Sequence, residues 1–140
     1  YDIRQCIEGT AVKKACLNIS NEGLNSLKRI LEKEKEHVLS VDIEGYQNSD
    51  YEFHDEIIRS SGSRIFQNVL VIMMEKTRIA RVSSLATGRR IVDSLEEHYA
   101  IYDALLAKDP EGSYEKMVRH IIKAKESYIK TIIEKGIAYE

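Results

Sequence analysis

Apolar side chains recur every third or fourth position along nearly the whole chain and nowhere alternate strictly with polar ones, the periodicity of helices packed by one face. Six helices follow from this pattern and its interruptions. The first spans about Asp2 to Leu17. Ser20 and Asn21, followed by Glu22, give a start signal for the second, which reaches about Leu39. The third covers about Asp42 to Arg59 and stops at Ser60-Ser61-Gly62. The fourth, about Arg64 to Val82, contains the run Val69 to Met74, apolar on every face. That predicts a helix buried on several sides or packed on a partner subunit. Thr87-Gly88 precedes the fifth, about Arg89 to Lys108. Asp109 caps the sixth, Pro110 takes its first helical position, and it ends near Gly136. The connections are short, which predicts antiparallel neighbours, and the expected class is an all-α antiparallel bundle of about six helices.

Composition narrows the picture. With 140 residues, 43% of them hydrophobic, the chain suffices for one domain, taken as 1–140. A net charge of −2 from 21 basic and 23 acidic residues leaves no electrostatic footprint for nucleic acid. No apolar run approaches the ~20 residues of a membrane span, and no secretory signal opens the sequence. Cys6 and Cys16 lie on one expected helix, separated by about 15 Å at ~1.5 Å per residue, too far to bridge. They are expected to be reduced core thiols, which fits a cytoplasmic protein.

The residues that break the apolar stripes are the informative ones. On the third helix, Ile43, Tyr46, Asp50, Phe53 and Ile57 share one face, which directs Asp50 at the core, where an unpaired carboxylate is costly. His54 follows four residues later on that face. On the fifth, His98 sits in the stripe Ile91, Leu95, Tyr102, Leu105; on the sixth, His120 flanks Met117, Ile121 and Ala124. His98 and His120 are nearly equidistant from the Asp109-Pro110 turn, so an antiparallel pair folded there brings both imidazoles to one level. Three imidazoles and a carboxylate suit a divalent ion such as Zn²⁺, Ni²⁺, Mn²⁺, Fe²⁺ or Cu²⁺. Taken singly, each histidine reads as an ordinary hydrogen-bonded residue. His37, within Glu32-Lys33-Glu34-Lys35-Glu36, belongs to a charge-alternating solvated face, as does the Lys/Glu-rich stretch from Lys123 to Lys135.

These residues carry a resemblance. Tyr1-Asp2-Ile3-Arg4 with Ile7-Glu8, Asp50-Tyr51-Glu52-Phe53-His54, Glu97-His98 with Ile101, Ala104 and Leu105, Asp109, and Met117-Val118-Arg119-His120-Ile121 occur in order. Together they resemble the FCD domain, the C-terminal effector-binding domain of FadR-subfamily regulators in the GntR group. The resemblance implies an all-α antiparallel bundle, a homodimer, and one divalent metal ion on Asp50, His54, His98 and His120 that helps hold a small carboxylate metabolite. It also implies DNA binding through an N-terminal winged helix-turn-helix. That module is absent from this chain, so the sequence is expected to be the effector domain on its own. Ser63 stands where many members have Asn, which leaves the start of the fourth helix less well defined.

A carboxylate effector needs a cationic partner. Arg4, beside Glu8, Ala11 and Ala15, and Arg78, among Val71, Met74 and Val82, are the effector-binding candidates, with Arg81 a lesser one. The competing reading of Arg4 is an ion pair with Glu8. Two other functions compete with the sensor: a metal-dependent hydrolase on a helical bundle, and a metal-free dimerisation module. Against the hydrolase, no general base stands beside the ligands, since Glu97 is turned about 100° from His98 on its helix.

Overall fold

The computed structural model describes residues 1–134, so the expected helix end near Gly136 and the tail residue Lys135 lie outside the described residues. Those residues form α1 (Asp2–Asn18), α2 (Asn21–Ser40), α3 (Ile43–Ser60), α4 (Arg64–Ser84), α5 (Gly88–Leu106) and α6 (Pro110–Glu134), and no strand. The starts follow local chemistry. The side chains of Ser20, Asp42, Ser63, Thr87 and Asp109 each accept from the backbone N–H three residues on, satisfying a donor the helix leaves free. Ser63 therefore begins α4 as a cap. α2 ends on Val41 with φ 54°, a left-handed residue that turns the chain sharply into α3.

Packing departs from a simple antiparallel series. α2 lies on α3, α3 on α4 and α5 on α6, but α1 packs chiefly on α6 and α3, and neither α1 with α2 nor α4 with α5 forms a substantial interface. The extended backbone of Ile19 carries the chain away from α1, so a short connection does not here make neighbours. The main core joins Val12 and Ala15 of α1, Leu27 and Leu31 of α2, Tyr46, Phe53 and Ile57 of α3, Ile91, Ile101 and Leu105 of α5, and Met117 and Ile121 of α6.

Three expectations need correction. Cys16 is buried but Cys6 is exposed, because it falls on the outer side of α1; both are free thiols. α4 is not enclosed on several sides: Leu70 and Met74 face inward, while Ile65, Ile72 and Ile79 remain 72%, 61% and 76% exposed. Glu34 is fully buried rather than part of a solvated face, since the spacing Leu27, Leu31, Glu34 places it on the core side of α2. No described helix is long and apolar enough to cross a membrane.

Candidate metal centre

Asp50, His54, His98 and His120 converge inside the bundle, all buried, each with one ligand atom within 4.8 Å of the others. α3 supplies Asp50 and His54 one turn apart, α5 supplies His98, and α6 supplies His120 at the matching height across the Asp109-Pro110 turn. His98 Nε2 lies 3.7 Å and His54 Nε2 3.9 Å from Asp50 Oδ1. Two donors bonded to one ion at about 2.1 Å stand at most about 4.2 Å apart, so the set needs to contract by roughly half an ångström to close on an ion. Phe53 stacks on the His98 ring, centroids 4.1 Å apart, and fixes its plane.

Behind each imidazole stands a glutamate. His54 Nδ1 is 2.5 Å from Glu8 Oε2 of α1, and His98 Nδ1 is 2.9 and 3.0 Å from the two oxygens of Glu34 of α2. His120 Nδ1 is 2.7 Å from Glu97 Oε2 of α5. A carboxylate behind Nδ1 fixes the tautomer with its proton there, orients the ring, and leaves Nε2 as the electron-rich atom. The Nε2 atoms of His54 and His98 are buried and have no hydrogen-bond partner among the described residues, and His54 Nδ1, although close to Glu8, is not in hydrogen-bond geometry with it. In that tautomer they turn lone pairs toward a carboxylate oxygen, an arrangement of acceptors that a cation resolves. The donor set therefore fits a divalent ion.

Of these three glutamates, sequence reasoning placed Glu8 only as a partner of Arg4 and missed the other two roles. Glu34 had a signal, its continuation of the Leu27–Leu31 stripe. Glu97 is indeed turned away from His98, but its partner is His120, which reaches it from α6. Glu97 is further held by Arg90 at 2.9 Å and, from the solvent side, by Lys123 at 3.0 Å. Arg4 donates to Glu8 at 2.6 Å, as the competing reading had it. Arg81 is buried and paired with Asp50, whereas Arg78 is exposed on the wall of an outer groove. His37 lies apart, half-buried against Asp42 at 2.9 Å.

Electrostatics follow from these contacts. Burial opposes ionisation of Asp50 and Glu8, yet Arg81 and the three imidazoles hold Asp50 down, and Arg4 and His54 hold Glu8 well below the usual carboxylate range. Burial also opposes ionisation of Glu97, but the bond from His120 and the charge of Arg90 bring it down to about 2. Burial lowers His54, and lowers His120 to about 3, against the pull of Glu97. His98 is raised, because Glu34 outweighs its burial, while Glu34 is itself pushed up by burial.

Two spaces adjoin the centre. One, of about 10 Å³, lies among Arg4, Asp50, Arg81, Arg90, His120 and Ala124, room for about one water. The other is a groove of about 760 Å³ between α3 and α4 that reaches the surface.

The model of the FCD domain family matches residues 1–123. Among solved structures, E. coli McbR/YncC superposes with a TM-score of 0.78 at 23% identity, over 91% of this chain and 63% of that one. The metal-free FCD domain of TM0439 superposes with a TM-score of 0.79 at 21% identity, covering 95% of this chain and 91% of that one. At these identities the likeness shows a shared all-α fold, and the chain spans less than two thirds of the McbR/YncC length. No curated protein matches it in sequence.

Proposed function

Because the chain belongs to the FCD family, we propose that it is the ligand-sensing and dimerisation domain of a cytoplasmic transcriptional regulator of the GntR group's FadR subfamily, residues 1–140 forming one unit. In this reading Asp50, His54, His98 and His120 hold one divalent ion, which helps bind a small carboxylate metabolite, and DNA is met through a separate domain of the full protein. FCD domains belong to transcriptional regulators, which are not enzymes. Consistent with that, Glu8, Glu34 and Glu97 are each engaged behind an imidazole, so none is left as a base beside the ion.

The observation that carries the reading is the orientation of the imidazoles: three buried rings each with Nδ1 facing a glutamate, His98 and His120 through hydrogen bonds and His54 through a close contact with Glu8, and two orphaned Nε2 atoms near Asp50. The TM0439 domain adopts this fold metal-free, so the support for an ion comes from the donors of this chain. When bound, the ion supplies positive charge and open coordination positions for an oxygen ligand. The protein's part is to hold four donors and exclude water. Arg4, Arg81 and Arg90 beside the centre supply charge toward an anion; Arg78 attends the groove.

For the homodimer, support comes from α4. Ile65, Ile72 and Ile79 repeat at seven-residue spacing on its exposed side, and antiparallel pairing about Ile72 sets each Ile65 against an Ile79. Elemental analysis of protein purified without an affinity tag tests the centre: one equivalent of divalent metal per chain is expected, with a matching rise in Tm. Unchanged metal content and Tm in His98→Ala and His120→Ala would overturn it.

A further inference from the structure

Asp50 and Arg81 occupy a double position. Their pair forms the inner end of the groove between α3 and α4 and, on the other side, a wall of the small void next to His120. It is thus the partition between a space open to solvent and the candidate metal centre. The remaining groove wall is largely apolar: Ile43 of α3, Val71, Met74 and Val82 of α4, and Leu85 just after it. One further link crosses between the helices, Gln47 Nε2 donating to the Val82 carbonyl at 3.0 Å. A volume of about 760 Å³ lies in the range of small-molecule sites, which are about 300–1,000 Å³ with apolar walls and few polar groups.

The polar groups select the ligand's charge. At the inner end stands one buried guanidinium, Arg81, whose acidic partner among the described residues is Asp50. At the mouth, exposed Glu44 and Glu75 repel a second anionic group, and Arg78 there is free to solvent. A single carboxylate on an apolar body meets all of these conditions; a polyanion or a polyol meets few. Arg81 binds any carboxylate through the same fork of donors, so an incoming head group is an isostere of the Asp50 side chain. The groove face of α4 adjoins the Ile65–Ile72–Ile79 stripe through Glu75, about one turn from both Ile72 and Ile79, so the mouth opens beside the surface offered to a second copy.

We propose that the α3–α4 groove binds an amphipathic monocarboxylate whose head group takes Arg81 from Asp50 while its apolar body lies against Ile43, Val71, Met74 and Val82. This deepens, and for its coupling rests on, the sensor reading above. Asp50, released from Arg81, turns wholly to the ion, so ligand and ion each strengthen the binding of the other by the same factor.

The test is titration calorimetry of the whole chain with acetate, butanoate, hexanoate and octanoate, with Zn²⁺ bound and after chelation. Each buried methylene is expected to tighten binding about three- to fourfold. Zn²⁺ is expected to bind more tightly in octanoate, by the factor that Zn²⁺ gives octanoate. Val82→Asp, on the half-exposed wall, flattens the series and leaves Zn²⁺ affinity intact; Arg81→Gln abolishes the coupling. A series flat from acetate to octanoate overturns the groove site, as does a slope unmoved by Val82→Asp. A chain that binds Zn²⁺ but no carboxylate refutes the groove and leaves the centre standing. A chain-length slope without any Zn²⁺ binding leaves the groove and refutes the centre.

Discussion

Glu34→Gln isolates the role of a charge that reaches the metal centre only through His98. The side chain is fully buried and spans His98 Nδ1 with both oxygens, at 2.9 and 3.0 Å. Glutamine keeps the shape and one acceptor but removes the negative charge, so a charge-assisted bond of about 1.5–3 kcal/mol becomes a neutral one of about half that. Nε2 then becomes a poorer donor, and metal affinity is expected to fall by about 10- to 100-fold, or roughly 1.4–2.7 kcal/mol. Competition with a chromophoric chelator at neutral pH reads this directly. Glu36→Gln, two residues on and exposed, serves as the control and should stay within about 0.5 kcal/mol of the parent in stability. Equal metal affinities in the two variants would refute the reasoning, because burial and the contact to His98 are the features that separate them.

Further outcomes follow from the same contacts. Phe53→Ala removes a fully buried ring stacked on His98 and should cost about 3–5 kcal/mol in urea unfolding, with metal affinity falling as well; a loss under 1 kcal/mol would deny the ring its role. Ile72→Arg, at the centre of the exposed α4 stripe, is expected to give monomers in sedimentation while metal content is unchanged; a persisting dimer would place the interface elsewhere. Metal-free protein should lose stability in acid. His120, brought down to about 3 by burial, and His54, also lowered, protonate in the unfolded chain first. Their contribution is complete above the unfolded pKa of about 6.5 and is lost as pH falls toward the folded values, at up to about 1.4 kcal/mol per pH unit for each group. His98, raised by Glu34, has the opposite sign, so two groups outweigh one. Urea midpoints that stay flat between pH 7 and 4 would contradict this.

The helices and the four convergent residues were legible because periodicity reports which side of a helix faces inward. Asp50 and His98 stood out as polar interruptions of strong apolar stripes. Glu34 was masked by the alternating charges around it, although its offset from Leu27 and Leu31 marked the same side. Glu97 could not be found that way, since its partner His120 arrives from another helix. The run Val69–Met74 illustrates a deeper limit: an apolar pattern reports a surface that avoids water, not whether the same chain or another covers it. The groove had no sequence signal, because it arises from the separation of α3 and α4. The choice between Arg78 and Arg81 as the buried cation depended on that same geometry.

Charge bookkeeping joins these parts and yields a last expectation. Every described helix contributes to the centre, and its carboxylates Glu8, Glu34, Asp50 and Glu97 face three buried guanidiniums, Arg4, Arg81 and Arg90. Among the buried groups four against three leaves one negative charge when the imidazoles are neutral, a poor state for a dry interior that Lys123 offsets only from the solvent side, at Glu97. Without an ion the remedy is a proton, and His98 is the imidazole whose affinity for one is raised, by Glu34 against the effect of burial. A divalent ion must displace any proton held there to reach Nε2, so uptake should release up to one proton per ion, fewer as pH rises. The buried groups and the ion then carry one positive charge together, which a single carboxylate cancels and a dicarboxylate overshoots. Calorimetry in buffers of different ionisation enthalpy measures the proton count. Release of none would mean that His98 was neutral beforehand and that Glu34 only orients the ring; release of two or more would mean that His54 or His120 was also protonated, against the direction in which burial moves both.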